Sequence, residues 1–349
     1  MGYTDIDKQF LALSLKSENL PKALRENAAE LILSRQGPDG GFLGIDGTPS
    51  IHQSVFAIQV LCLAGVMKGD LAERIADYLL HEIQSVHAQV MEKVSRRAGP
   101  IDFLATDFSA LILSANMVHI SSGIDVFHES GVDMREAVER GIRSLLQEDC
   151  GIATSPKSHH SGLYYTALAV SVMQLAGIPL TLFHSRGIDA LCRLIRDRQG
   201  PSGGYYDFDY DTVCDIRATS SAVRLARNLA IERTFLGLDA SDDPEQPFVE
   251  QVIDRRATVH FLNNRRAADG GYRSDRNTAE SDIRSTFFAV LAFCNFADWQ
   301  FVDFPERDRT IEFLFSLLRE NGGFAPHFRS QETTPESTYF GLASLAMLR

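Results

Sequence analysis

The sequence predicts an all-α protein: one α/α toroid of six helical hairpins, without strands, closed around a central apolar cavity. Three observations carry that expectation. A Gly-rich turn phrase recurs along the 349 residues, an amphipathic helical stretch precedes each copy, and a stretch apolar almost all round follows it. The turn phrases are QGPDGGF (36–42), QEDCGI (147–152), QGPSGGY (199–205), AADGGY (267–272) and ENGGF (320–324). A weaker phrase, RRAGPID (96–102), fills the gap between the first two. Successive units are therefore roughly 50 to 70 residues apart, a spacing that suits helical hairpins with variable loops.

Before the first turn, Leu24, Ala28, Leu31 and Ile32 recur at helical spacing among charged residues, which predicts an outer helix with one buried face. The Gly pair then stops that helix in a left-handed cap and lets the chain reverse. SVFAIQVLCLAG (54–65) follows as the first inner helix. The later inner helices read FSALILSANMV (108–118), YYTALAVSVMQLAG (164–177), SSAVRLARNLA (220–230), FFAVLAFCNFA (287–297) and YFGLASLAML (339–348). Their Ala, Gly and Ser residues allow close approach around a cavity. An open solenoid is the alternative; closure is favoured because the chain stops in an apolar helix rather than a polar capping repeat. Residues 1–349 read as a single domain.

Composition narrows the function. A formal charge of −12 offers no basic face for nucleic acid. Five scattered cysteines, never in C-x-x-C spacing, give neither a disulfide framework nor a thiolate metal knot. The first residues lack the pattern of a signal peptide, and no stretch is long and apolar enough to span a bilayer. A cytoplasmic location is expected.

Two phrases stand out. CDIRATSSAV (214–223) returns 67 residues later as SDIRSTFFAV (281–290). Asp215 and Asp282 each open an apolar helix, where Asp is a good N-cap; clustered in a closed cavity they could instead act as acid or base. Arg217 and Arg284 sit two residues further on, where a cation opposes the helix dipole. They either staple neighbouring hairpins or hold an anion. The acids of DFDYD (207–211) read as a solvated loop. Tyr164, Tyr165, Phe287, Phe288, Tyr339 and Phe340 read as core, with a subset lining the cavity, where their faces could stabilise a carbocation.

This grammar resembles protein prenyltransferase beta subunits and, more distantly, class II terpene and squalene cyclases, from about Leu24 to Arg349. The DGGF and GGY turns, SGLYYTALAV (161–170), the two DIR phrases and STYFGLASLAML (337–348) carry the likeness. The resemblance implies an apolar funnel for an isoprenoid chain and a mouth for diphosphate or a catalytic acid. It also implies a zinc site of D-x-C plus His. Here Asp282 matches the Asp, Arg284 stands at the Cys and Ser337 at the His, so zinc is not expected. Of the family's diphosphate-binding Arg and Lys, Arg276 matches the first and Ala279 replaces the second. His160, with Lys157 and His159 nearby, is similar to the His phrase that contacts diphosphate in that family, one repeat early. The cyclase D-x-D-D-T is matched only in its first Asp and its Thr.

The expectation is an isoprenoid-handling enzyme without zinc, with Asp282 and Asp215 as acid or base and Arg217, Arg284, Arg276, His160 and Lys157 on the head group. Magnesium could accompany a diphosphate substrate. The alternatives are a non-catalytic toroid that binds a lipid, peptide or partner, and a beta-like subunit that pairs with itself or with an alpha-type helical subunit.

Overall fold

The computed structural model describes residues 5–44, 47–48, 50–96, 109–155, 157–180, 187–235, 248–296, 304 and 306–349. The weak turn phrase lies, from residue 97 on, outside the described residues; the other five lie within them. A first helix, α1 (Asp5–Ser17), precedes the repeats. Each outer helix is then followed by an inner one: α2 (Lys22–Leu33) by α3 (Ile51–Ala64), and α4 (Gly69–Arg96) by α5 (Ser109–Ser122). After the short α6 (Val126–Ser130) come α7 (Met134–Leu145) with α8 (Leu163–Leu175), and α9 (Gly187–Asp197) with α10 (Ile216–Phe235). The short α11 (Phe248–Val252) precedes α12 (Arg255–Asn263) with α13 (Ile283–Phe296), and α14 (Arg307–Ser316) with α15 (Pro335–Leu348).

Hydrophobic patterning decides which helices go inside. In α7 the buried residues Met134, Ala137, Val138, Gly141, Ile142 and Leu145 form one stripe, and the rest of the helix is polar. In α15 every residue from Pro335 to Leu348 except Glu336 is buried. The inner helices touch in the order α3, α5, α8, α10, α13, α15 and back to α3, which closes the ring. The last turn seals it: Gly322 and Gly323 lie against Asn27 and Leu31 of α2, and Arg35 Nη2 donates to the Thr333 carbonyl at 3.0 Å.

The five turns share one hydrogen-bond pattern. In each, the N–H of Gly37, Gln147, Gly200, Ala267 or Arg319 donates to the carbonyl four residues on. The residue just before that acceptor is left-handed: Gly40, Cys150, Gly203, Gly270 or Gly322. The next residue's N–H (Phe42, Ile152, Tyr205, Tyr272, Phe324) donates to a buried hydroxyl on the following inner helix: Ser54, Thr166, Thr219, Thr286 or Thr338, at 2.8 to 3.3 Å. Neighbouring repeats are also tied. Leu163, Ile216 and Ile283, at the starts of α8, α10 and α13, donate their N–H to the carbonyls of Asp207, Ser274 and Pro326 in the next repeat.

One expectation needs correction. The chain is not strandless: β1 (Ile152–Ala153) pairs antiparallel with β2 (Ser161–Gly162), Ile152 opposite Gly162. In two later repeats the same contact is a single bridge, Tyr205 with Asp215 and Tyr272 with Asp282. The third repeat extends it because its loop folds back and keeps the two segments side by side for one more residue pair.

Gly203 and Gly177 are both left-handed, but a Cβ at Gly203 would overlap the Ala257 carbonyl oxygen while one at Gly177 meets open space. Gly203→Ala should therefore cost at least about 2 kcal/mol more stability than Gly177→Ala, because a backbone clash adds to the shared left-handed strain. Thermal and urea unfolding of the two variants measures the difference.

Candidate functional site

The inner helices surround a cavity of about 350 Å³, within the usual range for small-molecule sites. Its mouth is set by one register. The residue two before each buried hydroxyl is His52 on α3, Tyr164 on α8, Arg217 on α10, Arg284 on α13 and Glu336 on α15, and all five line the cavity. One position of the repeat thus supplies the ring of polar side chains at the starts of the inner helices.

Around this ring the charges are paired with neighbours. His52 Nε2 lies 3.9 Å from Glu336 Oε2. Burial pushes the Glu336 carboxyl up, but the His52 hydrogen bond and the charges of Arg284 and His52 outweigh it and hold the group below its ordinary value. Arg217 stacks over the Tyr164 ring, 4.8 Å from guanidinium carbon to centroid. Its Nη2 donates to Asp207 Oδ2 at 2.9 Å. Below the ring the wall is aromatic. Phe287 and Phe340 stack at 4.7 Å, with Phe56, Phe288 and Tyr339 beside them. Burial pushes the Tyr339 hydroxyl up to about 12, so it stays a neutral donor at physiological pH. Arg224 lies two helical turns below Arg217 on the same face, about 10 Å deeper, and also lines the cavity.

Of the residues singled out in the sequence, Arg217, Arg284, Tyr164, Tyr165, Phe287, Phe288 and Tyr339 line this cavity. Asp215 and Asp282 do not. Each is an N-cap: Asp215 Oδ1 accepts the Ala218 N–H at 2.7 Å, and Asp282 accepts the Ser285 N–H at 2.7 Å and its hydroxyl at 2.6 Å. Arg276 and Lys157 are exposed on loops. His160 is exposed and outside the cavity lining, its Nδ1 2.7 Å from Asp209 Oδ1 and its ring edge-on to Tyr210. The DFDYD loop is not simply solvated. Asp207 is 2% exposed, because its Oδ1 accepts the Tyr164 N–H at 2.9 Å while its Oδ2 holds Arg217. Arg217 is thus both a staple and a cavity residue.

Sequence reading missed Arg224, Glu336, Phe56 and Gln59, whereas Phe340, read from the sequence with the other aromatics, also lines the cavity. Superposing the repeats on their turn hydroxyls would have found Glu336 beside Arg217 and Arg284. The three positions where the resemblance would put zinc do not fit a metal. Asp282 is engaged as a cap, Arg284 offers only donors, and the Ser337 hydroxyl donates to the Phe324 carbonyl at 2.5 Å inside a capping box with Thr334. Among the described residues no three His, Cys, Asp or Glu side chains converge as a metal site.

Asp215 supplies a pH test. Burial, the dominant cause, raises its pKa from 3.8 to about 6 despite the Ala218 hydrogen bond. The folded state therefore holds this proton more tightly than the unfolded chain. The resulting stabilisation is full below about pH 4 and lost as pH rises through 6. Asp215→Asn keeps an oxygen for the cap and removes the titration. Relative to wild type it should gain roughly 2 kcal/mol in stability between pH 4 and 7.5, read from urea unfolding at each pH.

The sequence matches the prenyltransferase alpha-alpha toroid domain over residues 10–206, 84–245 and 245–349. No curated protein sequence matches it. Among solved structures it is similar to Candida albicans protein geranylgeranyltransferase-I complexed with GGPP, at 14% identity over 93% of this chain and 90% of that one, with a TM-score of 0.58. An unsaturated glucuronyl hydrolase specific for heparin gives a TM-score of 0.63 at 12% identity, over 94% and 96% of the two chains. A variant of the type II terpene cyclase MstE from Scytonema, in complex with geranylgeranyl dihydroxybenzoate, gives 0.51 at 12% identity, over 96% and 97%. At such identities these structures share the fold alone. The family match spans nearly the whole chain, and the protein belongs to the prenyltransferase alpha-alpha toroid domain family.

Proposed function

We propose that the central cavity binds an isoprenoid whose head group is a diphosphate, and that the protein is an enzyme of prenyl transfer or cyclisation acting without zinc. One observation carries this reading: Arg217, Arg224 and Arg284 line the same aromatic-walled cavity, in a chain whose formal charge is −12. Guanidinium groups suit phosphate oxygens, and the apolar wall suits a prenyl chain. Ionisation would break the C–O bond, with the electron pair leaving on the diphosphate and the arginines stabilising that charge. The faces of Phe287, Phe340 and Tyr339 would stabilise the allylic cation until a nucleophile adds or a proton leaves. Glu336 is held ionised, which suits accepting a proton better than donating one to an alkene. Magnesium would arrive with the diphosphate, since among the described residues no carboxylate cluster lines this cavity.

A catalytically silent lipid-binding toroid is the second reading. Its support is that Asp215 and Asp282 are both engaged as helix caps. Product formation separates the two.

The test compares geranyl, farnesyl and geranylgeranyl diphosphates with the corresponding alcohols, by calorimetric binding and product analysis. Diphosphates should bind at least about tenfold more tightly than the alcohols. Arg224→Met should weaken the diphosphates by about tenfold or more and leave alcohol binding little changed, since a hydrogen bond to a charged group is worth about 1.5–3 kcal/mol. Folded protein that binds no diphosphate, or binds alcohols equally well, sinks the reading.

A further inference from the structure

The register that builds the mouth also builds a second level beneath it. Two helical turns, or about 10 Å, beyond His52, Arg217 and Arg284 stand Gln59, Arg224 and Leu291, and all three line the cavity. In the order of inner helices α3 and α10 are three steps apart either way, so Gln59 and Arg224 come from opposite walls. Arg224 acts toward the mouth: burial raises the Tyr164 hydroxyl, and the charges of Arg284, Arg217 and Arg224 together oppose that rise. Gln59 has no such engagement. It is 6% exposed, and its amide has no hydrogen-bond partner among the described residues, whereas Gln9, the other glutamine of the lining, is engaged. The neighbouring helices offer it only apolar side chains: α5 lines the cavity with Ala110 and Leu113, and α15 beyond Tyr339 with Phe340 and Met347. An amide held in such a wall is unfavourable until something bonds it.

Building on the isoprenoid reading, we propose that the ligand's chain carries a hydroxyl, and that Gln59 binds it at the end remote from the diphosphate. A hydroxyl suits the amide because Nε2 donates and Oε1 accepts, and a hydroxyl does both. Phosphate oxygens only accept and would leave Oε1 unmet. Depth selects the position of the group. An extended carbon chain advances about 1.2 Å per bond, since three backbone bonds span up to ~3.6 Å. About eight bonds therefore cover the two helical turns between the levels. That is the path from C1 of a geranyl chain to a hydroxyl on its terminal C8. Between the levels Phe56, Phe287, Phe288 and Phe340 stand one turn below the mouth and cover the isoprene units.

The test measures calorimetric affinities of the full chain for geranyl diphosphate and 8-hydroxygeranyl diphosphate. Wild type should bind the hydroxylated ligand at least about tenfold more tightly, the scale of one buried hydrogen bond made or left unmade. Gln59→Met keeps the side chain's length and removes its hydrogen-bonding amide. It should erase that preference by weakening the hydroxylated ligand and sparing geranyl diphosphate. Wild type that binds geranyl diphosphate as tightly as the hydroxylated ligand overturns the assignment, whatever the variant does, and leaves the isoprenoid reading standing. A preference that survives in folded Gln59→Met overturns it too, because another group then reads the hydroxyl. Folded wild type that binds neither ligand sinks both readings together.

Discussion

A buried hydroxyl near the start of an inner helix does two things at once in this protein. It accepts the N–H of the residue that leaves the Gly-rich turn, and it donates to the carbonyl four residues earlier on its own helix. Ser54, Thr166, Thr219 and Thr286 all do both. A buried N–H without a partner costs about 1–3 kcal/mol, so the hydroxyl cannot slip along the helix without leaving one. The lock therefore fixes the rotation of each inner helix about its axis relative to its turn. With rotation fixed, the residue two places earlier points to the same place in the five repeats whose turns are described, which is the cavity mouth. The twin phrases are intelligible on this basis. Asp caps, Thr locks, and Arg is carried into the site by their geometry.

The mouth shows what repetition leaves to variation. His52, Tyr164, Arg217, Arg284 and Glu336 occupy one register with five different environments. Two arginines at helix N-termini oppose the dipole, and each is compensated differently: Arg217 by buried Asp207 and the face of Tyr164, Arg284 by the charge of Glu336. Asp207 also caps α8 in the preceding repeat, so the compensation for Arg217 is built into the contact between hairpins. Removing Asp207 would disturb a helix start and a cavity residue together.

Much of the ring was legible in the sequence because its causes are local. Gly-Gly marks a left-handed turn, an amphipathic stripe marks an outer helix, and an all-round apolar run marks an inner one. What was not legible depends on distant partners. Asp207 looked like one acid of an exposed loop; its burial follows from Tyr164 on α8 and from Arg198, just past the end of α9, which donates to its carbonyl. Cys150 carries the left-handed position that Gly takes in the other turns, which the sequence did not announce although QEDCGI was legible as a turn. Glu336 and His52 carry no phrase like DIR, and only the shared register relates them to Arg217 and Arg284. The first helix was overlooked because it belongs to no repeat.

The same toroid occurs in the glucuronyl hydrolase and in the terpene cyclase, so architecture does not choose between sugar and isoprenoid chemistry. The mouth register does discriminate. Glycoside hydrolysis in its common form takes two carboxylates flanking one bond, one of them protonated by a raised pKa. Among the described residues this cavity is lined by one carboxylate, Glu336, and its pKa is lowered by His52 and Arg284. Asp215, whose pKa is raised, is turned to its own helix start and lies outside the lining. Along the wall Phe56, Phe287, Phe288 and Phe340 are joined by the polar Gln59, Arg224 and Tyr339, and the stacked phenylalanines suit a prenyl chain. The proposed diphosphate-headed isoprenoid rests on Arg217 and Arg284 at the mouth and Arg224 inside the aromatic wall, and the mouth pair follows from which residues the lock carries into the ring rather than from the ring itself.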